Sequence, residues 1–310
     1  LKTIRPITIT DAMLTASNVP ETDGTAGEWG VGVSYTDGDT VRVTTTGVHK
    51  VYEALVDVTG GDSPEDDVLN AVPKWLEISS TNRWKAFDEK VGSQTSQATS
   101  ITYTIEPGVI VDSFAFLNMT CATIQVVSTD PIEGEVYNET ISMLSTEITG
   151  VSGIYDWYTY FFSSNSVITD VVRFNLPPYS AAVLTITITL ADGIALCGGI
   201  ILGPQAFLGN TQYSPSIGIR DYSVKQTDQF GNQTLVKRSF AKIMTADMTV
   251  ETASISDVQN ILASYRAELI VYVGDDNTPA LIVYGFYKDF NIVISYPAYA
   301  ICSLDVEGIT

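Results

Sequence analysis

The sequence predicts a mainly β chain: a small β module, an antiparallel sandwich, and a C-terminal β sandwich carrying one short helix. Three observations carry this. Thr, Ser, Val, Ile and Tyr are abundant while only 17% of the 310 residues are charged, a balance that suits pleated, half-buried strands. Residues 182–190 alternate, with Leu184, Ile186, Ile188 and Leu190 on one face and Thr185, Thr187 and Thr189 on the other. Other short apolar runs recur between turn residues, and about seven of them in the middle of the chain argue for an antiparallel sandwich.

The elements follow in chain order. Residues 1–27 read as an extended arm and linker pinned against another part of the protein: Ile4, Pro6, Ile7 and Ile9 precede a Gly/Thr/Asp stretch. Residues 28–78 read as the small β module. Trp29 and Tyr35 lead to a Gly38-Asp39 turn, Val41 and Val43 alternate, Tyr52 opens the next strand, and Pro73 to Leu76 close the unit. So small a unit draws an unusual share of its apolar surface from its aromatics. The acidic stretch 62–67 around Pro64 reads as a solvated turn. It lacks the regular oxygen ligands and central glycine of a calcium loop.

Residues 79–206 form the sandwich, with a polar-aromatic turn at 81–88 and strands at 100–105, 109–117, 122–127, 155–162, 171–174, 182–190 and 194–202. Gly198-Gly199 inside the last of these suggests a bulge or close packing. Residues 207–310 form the third zone, with strands at 218–225, 235–244, 247–250, 269–273, 280–286, 291–295 and 300–306. Asp275-Asp276-Asn277 marks a hairpin turn. The single helix is expected at 256–266, with Ser256 and Gln259 as a capping box and Val258, Ile261, Leu262 and Tyr265 on one face.

Composition excludes whole classes of partner. A formal net charge of -20 repels the phosphate backbone and argues against nucleic acid and anionic membrane surfaces. No run is long enough to span a bilayer as a helix, so no membrane insertion is expected. Residues 1–6 lack the apolar centre of a secretory signal. Cys121, Cys197 and Cys302 are too few and too scattered for a disulfide framework or a zinc site; buried thiols made in a reducing cytosol are expected. Catalytic residues, metal and cofactor are all expected to be absent. The acids Asp37, Asp39, Glu53, Asp156 and Asp221 sit in no catalytic pattern, and the one histidine, His49, reads as a surface residue.

The spaced set Trp29, Tyr35, Gly38-Asp39, Tyr52-Glu53-Ala54, Pro64 and Trp75 resembles the chitin-binding type of carbohydrate-binding module. That resemblance implies a glycan site at Trp29, Tyr35, Tyr52 and Trp75. Tyr35 and Tyr52 are the better surface platforms, and Trp29 and Trp75 are equally well read as core. Over nearly its full length the chain is similar to a family of tailed-phage virion proteins. The segments that carry this include Pro73-Lys74-Trp75-Leu76, Thr81-Asn82-Arg83-Trp84, Tyr155-Asp156-Trp157-Tyr158, Gly209-Asn210-Thr211-Gln212-Tyr213, Phe230-Gly231-Asn232 and Tyr284-Gly285-Phe286-Tyr287.

This resemblance implies a galactose-binding-like jelly roll in the middle and a tail-tube-like sandwich at the end. It also implies a structural role in a tail tip or baseplate of the virion, made in the host bacterial cytoplasm. The implied partners are other tail proteins, copies of the chain in a homo-oligomeric ring, and a host surface glycan. Residues 207–310 are expected to assemble while the earlier modules project: the apolar strand 280–286 reads as an exposed edge that needs a partner, and Lys225, Lys237, Arg238 and Lys242 form a basic group that could set register with a neighbour. The rival readings are a free carbohydrate-binding adhesin and a glycan-degrading tail enzyme.

Overall fold

In the computed structural model the alternating run and the apolar run after it merge into one strand, Val183–Gly203. The structure describes residues 1–21, 26–61, 63–143, 168–227, 230–276, 278–294 and 296–309. The expected strand at 155–162 lies outside them. The chain is mainly β, with antiparallel pairing in both large sheets and one helix of more than a single turn among the described residues.

Strand Val183–Gly203 organises a seven-stranded sheet. Its first half lies between Thr123–Asp130 and Thr95–Ile105, and its second half pairs with Ser113–Thr120, the register shifting between Thr189 and Ile194. Ile101, Tyr103, Ile105, Phe114, Phe116, Ile124, Leu184, Ile186 and Ile188 form one buried cluster on this sheet. The expected alternation at 184–188 holds because only one face of that half is covered. Gly134–Ser142, not expected as a strand, is the edge strand beside Thr123–Asp130.

The second sheet has eight strands. Gln205–Phe207, Lys2–Ile4, Ile270–Val273, Ile282–Val293, Tyr299–Gly308 and Phe240–Glu251 run in that order, and Asn210–Thr211 and Ser216–Asp221 share the last edge. One face carries the helix Ile255–Ser264, with Val258, Leu262 and Tyr265 on Met244, Met248, Tyr272 and Leu304. The other face packs on the first sheet through Ala115, Leu117, Val172, Ile201, Val271, Val273, Ile282 and Tyr284. Helix and two sheets therefore make three layers. The strands 113–120 and 194–203 read as continuous apolar runs because both of their faces are covered.

Residues 2–7 sew the sheets together. Lys2–Ile4 pair with Gln205–Phe207, and Arg5 N–H and Ile7 N–H donate to the carbonyls of Pro204 and Leu202. Leu14–Ser17 then pairs with Thr95–Ile105. The expected arm is thus a strand donor to both sheets, and the 207–310 segment lacks one of its own internal strands.

Three local expectations are corrected. The helix begins at Ile255 after a 3-10 turn, Ser254 holds the N-cap position, and no side chain caps it. Residues 64–67 form a helical turn in which Asp67 is buried rather than solvated, its Oδ2 accepting from Lys74 N–H at 2.6 Å and Trp75 N–H at 3.0 Å. The apolar run 280–286 belongs to strand Ile282–Val293, which lies inside the sheet and is no exposed edge.

All three cysteines are buried and free. Burial pushes the Cys121 thiol up to about 12 and that of Cys302 up to about 11. A thiol-reactive disulfide reagent at neutral pH should therefore titrate none of them in the native protein and all three after unfolding. Rapid native labelling would contradict the packing described.

Candidate functional site

The small module is a four-stranded sheet of Gly27–Glu28, Thr40–Val43, Lys50–Ala54 and Trp75–Ser80, plus the short pair Ser34–Tyr35 and Val58–Thr59. It closes around its own cluster of Val41, Val43, Tyr52, Ala54, Val58 and Trp75. Tyr52 is 2% exposed and Trp75 1%, so the expectation of Tyr52 as a sugar platform is corrected. A unit this small needs its largest rings to exclude water. Trp29 and Tyr35 are half-buried against the same cluster. Tyr35 meets Trp75 edge to face at 5.3 Å, and its hydroxyl accepts from Gly30 N–H. The four aromatics form one core with two partly open members rather than an open platform.

Of the acids considered for catalysis, Asp37, Asp39 and Glu53 lie in the small module and Asp221 at the edge of the eight-stranded sheet. Asp39 accepts from Thr36 N–H at 2.7 Å, and that bond holds its carboxyl below the usual range. Asp221 accepts from Ser223 N–H, and its carboxyl is likewise lowered, the Ser223 side chain and backbone being the main causes. Glu53 is paired in register with Thr40 and Leu76. Asp156 lies outside the described residues. Among the described residues no three His, Cys, Asp or Glu side chains gather to hold a metal ion.

His49 is not the surface residue that the sequence suggested. One ring nitrogen meets Asp11 Oδ1 at 2.5 Å and the other meets Glu21 Oε1, while the ring stacks on Trp84 at 4.3 Å and 13°. Both ring nitrogens thus face carboxylate oxygens, which only accept. Arg83 stands 3.7 Å from Glu21, and Thr81 N–H donates to the His49 carbonyl. The cluster fastens the small module to residues 11–21 and to the turn 81–88. Its residues are scattered in sequence, so no local signal could have found it. His49→Ala would leave two facing carboxylates without their partner and should cost about 2–3 kcal/mol in urea unfolding. A loss below about 0.5 kcal/mol would show that the cluster does not hold the module.

Between the two large sheets runs a groove of about 390 Å³ lined by Arg5, Ile7, Glu89, Lys90, Glu268 and Tyr284. A neighbouring hollow of about 300 Å³ contains Asn118, Asp170 and Lys242. Two ion pairs line them: Arg5 makes a bidentate pair with Glu268, and Lys242 pairs with Asp170. Gly198 has its close-packing role here. A Cβ on it would stand 2.6 Å from the Val91 carbonyl oxygen, which accepts from Asn118 Nδ2.

The most unusual surface is at the other edge of the eight-stranded sheet. Ser216–Asp221 is an edge strand exposed at all six residues. The hairpin continues past the sheet as a ribbon, Val224–Thr227 paired with Gln233–Val236, and every described residue from 230 to 240 is exposed. Ile217, Ile219, Tyr222, Leu235, Val236 and Phe240 present apolar side chains to solvent, Leu235 at 67%. Lys225, Lys237 and Arg238 lie on the same arm and make no ion pair among the described residues. Lys242, expected in this basic group, instead points to Asp170 of the other sheet.

The root of the arm is tied to Glu307, buried in the sheet, which receives Lys288 at 2.9 Å and also pairs with Arg220. The bond from Lys288, followed by the Arg220 charge, holds its carboxyl below the ordinary value of 4.5. A carboxyl lowered in the folded state stabilises fully above its unfolded value, and that stabilisation is lost as pH falls. Amide exchange in 216–221, corrected for intrinsic rates, should therefore rise below about pH 4. Glu307→Gln should flatten that dependence; a wild-type profile already flat would refute the tie.

No protein-family model and no curated protein matches this chain.

Proposed function

We propose that the chain is a structural protein of a phage tail tip or baseplate that assembles with its own copies through the C-terminal sheet. The observation that carries the assembly part is the hairpin arm, 216–240, with its exposed edge strand and apolar side chains. A two-stranded ribbon is marginal alone in water, and an unprotected edge invites pairing. Identical copies that each present the same two patches can close into a ring. The virion part rests on the sequence resemblance carried by segments such as Gly209–Tyr213 and Tyr284–Tyr287. In this reading the chain binds and assembles, and catalyses nothing.

Glycan contact at the small module reduces to Trp29 and the open side of Tyr35, since Tyr52 and Trp75 are core. Trp29→Ala should lower binding on a glycan array by about tenfold if that contact exists; equal binding removes it from the proposal.

The assembly reading is tested on the full chain, because residues 2–4 complete the C-terminal sheet. Light scattering and negative-stain microscopy should find closed oligomers, and gold-labelled antibodies should mark the tail end of virions. A chain that stays monomeric at all accessible concentrations and labels no particle would sink the reading.

A further inference from the structure

The described residues include two exposed apolar surfaces of opposite charge. The first is the arm. Lys225, Lys237 and Arg238 stand among Ile219, Leu235 and Val236, in a protein whose net charge is -20. The second is one end of the small module, where the turn 55–57 meets the loop 68–73. Leu55 N–H donates to the Lys74 carbonyl at 2.7 Å, and Asp67 pins the loop from the other side. This end presents Leu55, Val56, Leu69 and Val72, the last two each 84% exposed. Around them stand the exposed carboxylates of Asp37, Asp57 and Asp66, against a single exposed lysine, Lys74. Asp57 is bonded to the Asp37 N–H, and Asp66 to the Ser63 hydroxyl, so both are held in place without a cation.

We propose that the basic arm of one copy seats on the acidic, apolar end of the small module of a second copy, giving a head-to-tail contact. This rests on the assembly reading above and names the receiving surface. Among the described residues no ion pair joins the arm to the module. Each has the apolar centre that a partner would dry and the charges that would set its register. A surface that carries both halves on different sites is heterologous, so successive copies propagate or close into a ring. The acidic remainder of the chain repels other copies, which leaves the arm as the favoured point of approach.

The test uses two full-length variants, one with Lys225→Glu, Lys237→Glu and Arg238→Glu, the other with Asp57→Lys and Asp66→Lys. All five positions are exposed, so folding should be unchanged by circular dichroism. Each variant alone should associate at least about tenfold more weakly than wild type in sedimentation. Mixed together they should recover association, because the reversed arm meets the reversed module. Raising salt from about 0.05 to about 0.5 M should weaken wild-type assembly. Wild type assembling while both variants assemble equally well, or a mixture no better than either alone, overturns this contact and leaves the assembly reading standing. A monomeric wild type overturns both. If the arm variant misfolds, the module variant alone decides: unchanged assembly refutes the contact, and weakened assembly supports it.

Discussion

Gly285→Ala should destabilise the protein by about 3–4 kcal/mol in urea unfolding and abolish assembly. Gly285 sits on Ile282–Val293 opposite Gly308 of the neighbouring strand. A Cβ there would stand 2.0 Å from the Glu307 carbonyl oxygen and 2.6 Å from Gly308 Cα. Both obstacles are backbone, so no side chain can turn aside and the two strands must separate. Glu307 is also the residue that holds Arg220 of the edge strand and Lys288. Moving its backbone loosens the root of the arm at the same time. A variant within about 1 kcal/mol of wild type would show that these strands do not approach so closely. Gly203→Ala makes an independent check, since a Cβ there would meet the Arg5 carbonyl oxygen at 1.9 Å, in the seam between the two sheets.

Trp75→Ala should unfold the small module while the two-sheet body stays folded. The indole is 1% exposed and packs with Tyr52, Val41 and Val58 in a cluster of its own. Truncating a buried tryptophan costs about 3–5 kcal/mol. A module this small, with a core of its own, has little reserve to absorb such a loss. Amides of Thr40–Val43 and Lys50–Ala54 should lose protection, and those of Val183–Gly203 should keep it. Equal loss in both regions would mean that module and body unfold as one unit, joined more tightly than the His49 cluster implies. Because the receiving surface 55–72 lies on this module, head-to-tail association should fail with it. Any glycan binding lost in Trp75→Ala would then report unfolding rather than a missing platform.

Some of this was readable from residue order alone. The alternation of Leu184, Ile186 and Ile188 against threonines fixed a strand with one covered face, and Val258, Leu262 and Tyr265 fixed the buried stripe of the helix. Both signals are local, since period two and period 3.6 follow from backbone geometry within a few residues. The closeness at Gly198 was likewise visible as a glycine pair inside an apolar run.

The rest depended on pairs far apart in sequence. Nothing near Lys2 says that it belongs beside Val273 and Phe207, so the N-terminal segment read as a linker when it is an internal strand. Tyr52 and Tyr35 look alike in sequence. Only the closing of the module placed the first in the core at 2% exposure and left the second half open. His49 read as a surface residue because Asp11, Glu21 and Trp84, which enclose it, come from three other segments. The apolar run at 280–286 read as an edge that needed a partner, yet the tertiary structure places its strand inside the sheet and buries residues 282–285, and it exposes the arm at 216–240 instead. The sequence by itself determined the strands and the helix whose periodicity is local, such as 184–188 and 258–265, but not Lys2–Ile4 or Gly134–Ser142. Which apolar faces find each other, and which are left for another chain, is a matter of long-range pairing, and only the folded molecule decided it.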